Sequence, residues 1–299
     1  MYEDIEFVVP CGGLSTRNFP HSKAIAHKSL LPFGDIRLID HVLGEIIKFG
    51  GRHITMVCSN QGTIDTFKLA LARDDKTVQK LKNKNRTEIA EVLESTFLPS
   101  DVDLKFVIQD QPVGTAHVLY CASQVFSDRH VALVFPDDIY VSKDINNSHL
   151  KKMVDDFLQN THQILVTGIE REDVSNNSIL VDGRLIEKPK NPVNHVGGFS
   201  PFIFPKELIS FIRQEWENHQ EKILNLGHEW FYVDAINDFL DNGGEPQGFF
   251  VKMHIKDSDD IFMDTGALPL YEESLIFALL KLSRFKEKNR RIAQKLLSE

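Results

Sequence analysis

The sequence predicts an α/β fold in which a mostly parallel central sheet is flanked by helices and followed by a C-terminal helical tail. Three observations carry this reading. Short apolar runs alternate with stretches of helical periodicity along the whole chain, the pattern of strand–helix–strand units. The runs Phe7–Val9 and His130–Phe135 are apolar enough to be buried strands. The residues that could carry chemistry are spread from position 12 to position 266 with no repeat, low-complexity segment or linker between them, which favours one domain over residues 1–266 and an appended tail over 267–299.

Taken in order, the strand at Phe7–Val9 stops at Pro10, and Gly12-Gly13 opens a turn. Leu38, Ile39, Val42, Leu43, Ile46 and Ile47 recur at helical spacing, and Gly50-Gly51 supplies the stop. A second strand covers Ile54–Cys58. Residues 62–96 read as an insertion of two polar amphipathic helices, and Lys80, Lys82, Lys84 and Arg86 as its solvated face. A strand at Phe106–Gln109 leads to Gln111–His117 and an apolar helix through Phe126. The strand His130–Phe135 ends in Pro136-Asp137-Asp138, so two carboxylates stand at a carboxyl-terminal strand edge, where open α/β sheets bind ligands. Next come a helix over 147–159, a strand at Ile164–Val166 and a hairpin turning at Asp182-Gly183. A strand at Phe202–Phe204 follows, then helices over 206–218 and 229–241, and a strand at Phe249–Met253 before Asp264-Thr265-Gly266. A charged helical tail starts near 268.

Composition narrows the class. A chain of 299 residues with 42% hydrophobic and 26% charged content is that of a globular protein with a sizeable core. No apolar run approaches the ~20 residues needed to cross a bilayer, and the acidic start Met1–Asp4, without a positive n-region, leads us to expect no signal peptide. Cys11, Cys58 and Cys121 are scattered and odd in number, as buried thiols in a reducing cytoplasm would be. A net charge of -9 argues against nucleic acid as a partner.

Against that acidity, the stretch from Phe7 to Gly34 contains no Asp or Glu, while Arg17, Lys23 and Lys28 are fixed cations and His21 and His27 are potential ones. The window therefore reads as a local positive pocket. Gly12 and Gly13 let backbone N–H groups approach an anion, and the Arg17 fork can grip two phosphate oxygens. A solvated basic loop is the equally available plain reading. Neither GxGxxG nor GxxxxGK[ST] is present. Asp137 and Asp264 are hard oxygen ligands suited to Mg²⁺, although each alone reads as an ordinary loop or capping residue.

Taken together, these pieces resemble the sugar-1-phosphate nucleotidyltransferases. The family's opening loop is matched by Gly12-Gly13, Thr16-Arg17, Pro20, Lys28 and Leu31-Pro32, and Ser22–Ile25 is similar to the bacterial UTP:glucose-1-phosphate uridylyltransferase branch, as is the long insertion at about 62–100. The resemblance implies a Rossmann-like, nucleotidyltransferase-type sheet. It implies that Arg17 and Lys28 clamp the nucleotide's phosphates, that Gly12, Gly13, Gln109 and Gly114 bind the nucleotide, and that Asp137, in preference to Asp138, holds Mg²⁺ with Asp264. Glu187-Lys188-Pro189 resembles the family's Glu-Lys-Pro, whose Glu meets sugar hydroxyls and whose Lys meets the sugar phosphate; unaided, it reads as the exposed end of a hairpin. His117 reads as a helix-packing or polar core residue before any catalytic one.

Departures occur both in the opening loop and at the sugar end. Ser15 stands where relatives commonly have Gly, one extra residue lies between Lys23 and Lys28, Asn177-Ser178 replaces Tyr-Gly, and Ser200-Pro201 occupies a place often held by Gly or Arg. The implied substrates are UTP and a hexose 1-phosphate, with glucose 1-phosphate leading. A metal-dependent glycosyltransferase with a UDP-sugar donor and a non-catalytic nucleotide-sugar sensor remain as rivals. Phe277, Leu279, Leu280 and Leu282 in the tail would pack either on a second copy of the chain or on the chain's own body.

Overall fold

The computed structural model describes residues 2–298 apart from Leu14, Ala24, Ala26, Asp257 and Ser258, so Ala24 of the Ser22–Ile25 run lies outside the described residues. Strand β1 (Ile5–Cys11) organises the main sheet and is buried at every position but Pro10. Ile5, Phe7, Val9 and Cys11 enter one hydrophobic core and Val8 a second one on the other face. A strand covered on both faces has no solvated side, which is why it reads as an unbroken apolar run. The exception, Glu6, is fully buried on β1 and is matched there by Arg129 Nη1 at 2.8 Å and the Thr55 hydroxyl at 2.6 Å.

Past the opening loop, a two-stranded ribbon of β2 (Pro32–Phe33) and β3 (Ile36–Arg37) feeds α1 (Leu38–Lys48), whose apolar stripe fills the first core. Gly50, at φ 111°, turns the chain into β4 (His53–Cys58). The insertion holds three helices where the periodicity predicted two: α2 (Gln61–Leu71), α3 (Asp75–Asn83) and α4 (Thr87–Glu94). Local capping explains the extra break. Asp74 accepts from the Thr77 N–H to start α3, and Asn85, at φ 56°, closes it.

Strand β5 (Asp103–Ile108) is followed by α5 (Thr115–Ser123), β6 (His130–Leu133) and β7 (Asp138–Val141). β6 stops two residues early because the Phe135 N–H goes to the Ser200 hydroxyl instead of the ladder. Then come α6 (His149–Gln159), β8 (Gln163–Glu170), the hairpin β9 (Ser178–Val181) and β10 (Arg184–Glu187), and β11 (Val196–Phe204). Asp182 and Gly183 at the hairpin turn both take positive φ, the geometry that matches the twist of paired strands. Helix α7 (Lys206–Leu224) runs past the expected end at 218 with a break at His219, and α8 (Tyr232–Phe239) begins three residues late because Trp230 is engaged elsewhere. β12 (Phe250–Ile255) and β13 (Ile261–Asp264) precede the tail helices α9 (Leu268–Phe277) and α10 (Lys286–Leu297).

In space β5, β4, β1 and β6 lie side by side and parallel. β11 pairs antiparallel with β6 and with β8, and β12 continues parallel beyond β8. α1 and α6 cover one face; α5, α7 and α8 cover the other. A separate antiparallel pair of β7 and β13 sets Asp138 opposite Asp264. In the tail, Tyr271 and Ala278 are buried in the first core with Phe277 and Leu282 packed against it, while Leu279 is exposed. No helix among the described residues is long and apolar enough to cross a membrane.

Glu45 on α1 places its Oε1 out of reach of solvent and of any hydrogen-bond donor among the described residues. Burial first, and the Asp260 carboxylate second, push its carboxyl up to about 8, against the pull of Lys48. A folded pKa above the unfolded value of about 4.3 means that the stability contributed by protonated Glu45 is complete below that value and is lost as pH rises towards the folded one. Glu45→Gln is therefore expected to melt at a higher temperature than the parent at pH 8 and at nearly the same temperature near pH 4, checked by thermal denaturation across that range.

Candidate active site

The carboxyl ends of β1, β5 and β6 open on a cavity of about 450 Å³, within the range of small-molecule sites. All ten residues singled out from the sequence line it: Gly12, Gly13, Arg17 and Lys28 from the opening loop, Gln109 and Gly114 after β5, Asp137 and Asp264 from the β7–β13 region, and Glu187 and Lys188 at the end of β10.

The opening loop is held by its own hydroxyls. Ser15 takes a positive φ of 56°, a conformation that favours Gly, which is the residue relatives commonly have there. Its hydroxyl accepts the Lys28 N–H at 3.1 Å, and its carbonyl accepts the Ser22 hydroxyl at 2.7 Å. Asn18, buried in the short turn that carries Arg17, donates to the Thr265 carbonyl at 3.1 Å and so ties the loop to the Asp264 segment. His27 corrects the sequence reading. Burial and then the Lys28 charge lower its pKa to about 4, so it is a neutral acceptor for the Ser29 N–H and not a cation.

Lys28 Nζ is paired with Asp137 Oδ2. Burial raises the Asp137 carboxyl, but Lys28 and then Arg17 outweigh it and hold the group below the ordinary carboxylate range. Asp138 behaves oppositely. Burial, with the charges of Asp137 and Asp264, pushes it up to about 8, and its Oδ2 accepts the Ser200 N–H at 2.9 Å. Thr265 donates its N–H to the Asp137 carbonyl at 2.8 Å, and Asp264 Oδ1 accepts the Gly266 N–H at 2.8 Å. A side-chain carbon at Gly266 would stand 2.8 Å from Asp137 Oδ2, 3.1 Å from Asp264 Oδ1 and 3.8 Å from Arg17 Nη2. The missing side chain thus leaves a small space that two hard carboxylates and a guanidinium face together. Among the described residues no cluster of three or more His, Cys, Asp or Glu is arranged to hold a metal alone. Two carboxylates beside an anion pocket fit Mg²⁺, which keeps waters and shares its coordination with substrate phosphates.

Gln109 is buried and its amide is oriented. Nε2 donates to the Gly114 carbonyl at 3.0 Å and lies 3.3 Å from His117 Nδ1, while Oε1 lies 3.2 Å from where a Gly12 side chain would begin. His117 is thus the polar core residue that the sequence offered, with its ring tilted against Trp216 at 4.1 Å between centres. Gly114 has φ 125°, and a side chain there would meet the Trp230 carbonyl at 2.3 Å.

Lys188 also takes a positive φ, 45°, held by its N–H to the Asn177 carbonyl at 3.1 Å. Burial raises the pKa of Glu187, Lys188 opposes it, and Asp234 and Glu229 add to it. Glu229, Phe231 and Tyr232 complete this end of the cavity and were not found by sequence reading, which ran a helix from 229 to 241. The signal available was Gly227 followed by the aromatic run Trp230–Tyr232, a combination that favours an anchored loop over a helix start.

Comparison with known proteins gives a match to the nucleotidyl transferase family model over residues 8–268. A UTP–glucose-1-phosphate uridylyltransferase of Haemophilus ducreyi is 25% identical over 79% of this chain and 83% of its own. One from Escherichia coli is 32% identical over 53% of this chain and 52% of its own. A UDP-glucose pyrophosphorylase from Acinetobacter baumannii has a solved structure of the same fold, with a TM-score of 0.77 at 19% identity, covering 97% of this chain and 99% of that one.

Because Gly114 combines a left-handed backbone with contact against a carbonyl, Gly114→Ala is expected to lower the melting temperature by about 3 °C or more, the effect of ~2 kcal/mol in a chain of this size. Scanning calorimetry of the purified variant checks it.

Proposed function

Since the chain belongs to the nucleotidyl transferase family, we propose that it joins UTP to a hexose 1-phosphate, glucose 1-phosphate, forming UDP-glucose and releasing pyrophosphate. The observation that carries this reading is that the acid-free loop brings Arg17 and Lys28 against Asp137 and Asp264 in one cavity that Glu187 and Lys188 also line. The uridylyltransferases among its relatives support the choice of UTP and glucose 1-phosphate.

In this reading the transferase domain is residues 1–266, with 267–299 as an appendage, and the buried free thiols of Cys11, Cys58 and Cys121 suit a reducing cytoplasm. The backbones of Gly12 and Gly13 receive the nucleotide, Gly13 having open space where a side chain would stand. Gln109, whose amide nitrogen is engaged by Gly114, offers Oε1 as an acceptor to the N3–H of a uracil ring. Glu187 accepts from sugar hydroxyls, and Lys188 holds the phosphate whose oxygen attacks the α-phosphorus. Arg17 and Lys28 steady the charge gathering on the leaving pyrophosphate. At about 4 Å each supplies roughly 4 kcal/mol of raw Coulomb attraction near a protein surface. Asp137 and Asp264 would hold Mg²⁺, which supplies charge neutralisation at the phosphates. Electrostatic positioning carries such a transfer without a covalent intermediate.

A matrix of nucleoside triphosphates against hexose 1-phosphates with Mg²⁺, read as pyrophosphate release, is expected to give its highest rate for UTP with glucose 1-phosphate. Asp137→Ala and Asp264→Ala are expected to lower that rate by about 10²-fold or more. Wild-type rates in both variants would overturn the metal assignment, and sugar transfer from UDP-glucose without pyrophosphate would overturn the reaction.

A further inference from the structure

The ammonium of Lys188 sits over the ring of Phe231, with Nζ 4.9 Å from the ring centre. Its other near partner, Glu187 Oε1, is 3.7 Å away, too far for a tight hydrogen-bonded pair, and the lysine side chain is about half exposed (53%). A long, freely rotating ammonium at a half-open site is poorly placed to meet a phosphate unless something confines it. The face of an aromatic ring does so through its quadrupole without engaging any N–H donor. A carboxylate at hydrogen-bonding distance would confine the same charge but occupy the donors that a phosphate needs.

The backbone that carries the ring is fixed to the nucleotide end of the cavity. Trp230 donates its N–H to the Val113 carbonyl at 2.6 Å and accepts from the Ala116 N–H at 3.1 Å. The Tyr232 N–H goes to the Thr115 hydroxyl at 2.9 Å, and the Phe231 N–H goes to Asp234 Oδ2 at 2.9 Å. The segment bearing Phe231 is thus stitched on both sides to residues 113–116, which include Gly114.

We infer that Phe231 is a positioning residue that confines the Lys188 ammonium for the phosphate of the sugar 1-phosphate and sets its place relative to the bound nucleotide. The inference rests on the transferase reading above and concerns that same site. It assigns to the ring an electrostatic task beyond that of filling the cavity wall.

The test compares the full chain with Phe231→Leu, Phe231→Tyr and a form carrying 3,5-difluorophenylalanine at 231, which keeps the ring's shape and weakens its negative face. The leucine and difluoro forms are expected to raise KM for glucose 1-phosphate by about two- to fivefold, the worth of a half-exposed cation–ring contact. KM for UTP is expected to stay within about twofold, and Phe231→Tyr to behave as the parent. An unchanged KM for glucose 1-phosphate in the difluoro form, or equal rises in both KM values, would overturn the inference. Should Phe231→Leu fail to fold, the shape-preserving form carries the comparison. If the unmodified protein makes no UDP-glucose, the transferase reading falls separately. Calorimetric binding of glucose 1-phosphate to the same forms then decides the role of Phe231 without turnover.

Discussion

A carboxylate taken out of water stays ionised where fixed cations or hydrogen-bond donors face it, and the cavity of this protein is built around one such case. Asp137 belongs to the turn between β6 and β7, and its countercharges Lys28 and Arg17 come from the loop after β1. The fold therefore has to bring residues more than a hundred positions apart into one pocket. It does so by placing β1 beside β6 in parallel register, so that both chains emerge at the same edge. The Asn18 side chain then fastens the loop after β1 to the Thr265 carbonyl, and Thr265 to the Asp137 carbonyl. Polar side chains and backbone, more than apolar contact, keep the charges at working distance there.

The second organising constraint is steric. Gly114 and Gly266 are places where a single added carbon would strike a carbonyl or a carboxylate. At Gly114 the crowding group is the backbone of Trp230; at Gly266 the crowding groups are the carboxylates themselves. One glycine thus lets two loops close on each other, and the other keeps open the point on which charged groups converge.

Much of this was legible in the sequence where the signal is local. β1 and β6 announce themselves because both faces are covered, and the acid-free window from Phe7 to Gly34 stands out against an acidic chain. The sequence motifs also picked residues that lie in one cavity. What could not be read was long-range. That His27 is buried, and so neutral, depends on packing that no run of residues displays. Asp137 and Asp138 are neighbours with identical side chains, yet opposite shifts follow from which one meets Lys28. The start of α8 was misplaced because Trp230 bonds to Val113, a partner more than a hundred residues away. The third helix of the insertion was missed because capping by Asp74 and the left-handed turn at Asn85 outweigh a weak periodicity.

The seam between residues 113–116 and 230–232 has one more property. The chain contains two tryptophans, and both are there: Trp216 and Trp230 are buried with ring centres 6.1 Å apart, and His117 lies against Trp216. All indole emission from this protein therefore originates at a single junction. A change in how that junction is packed is visible in near-ultraviolet fluorescence without any added label.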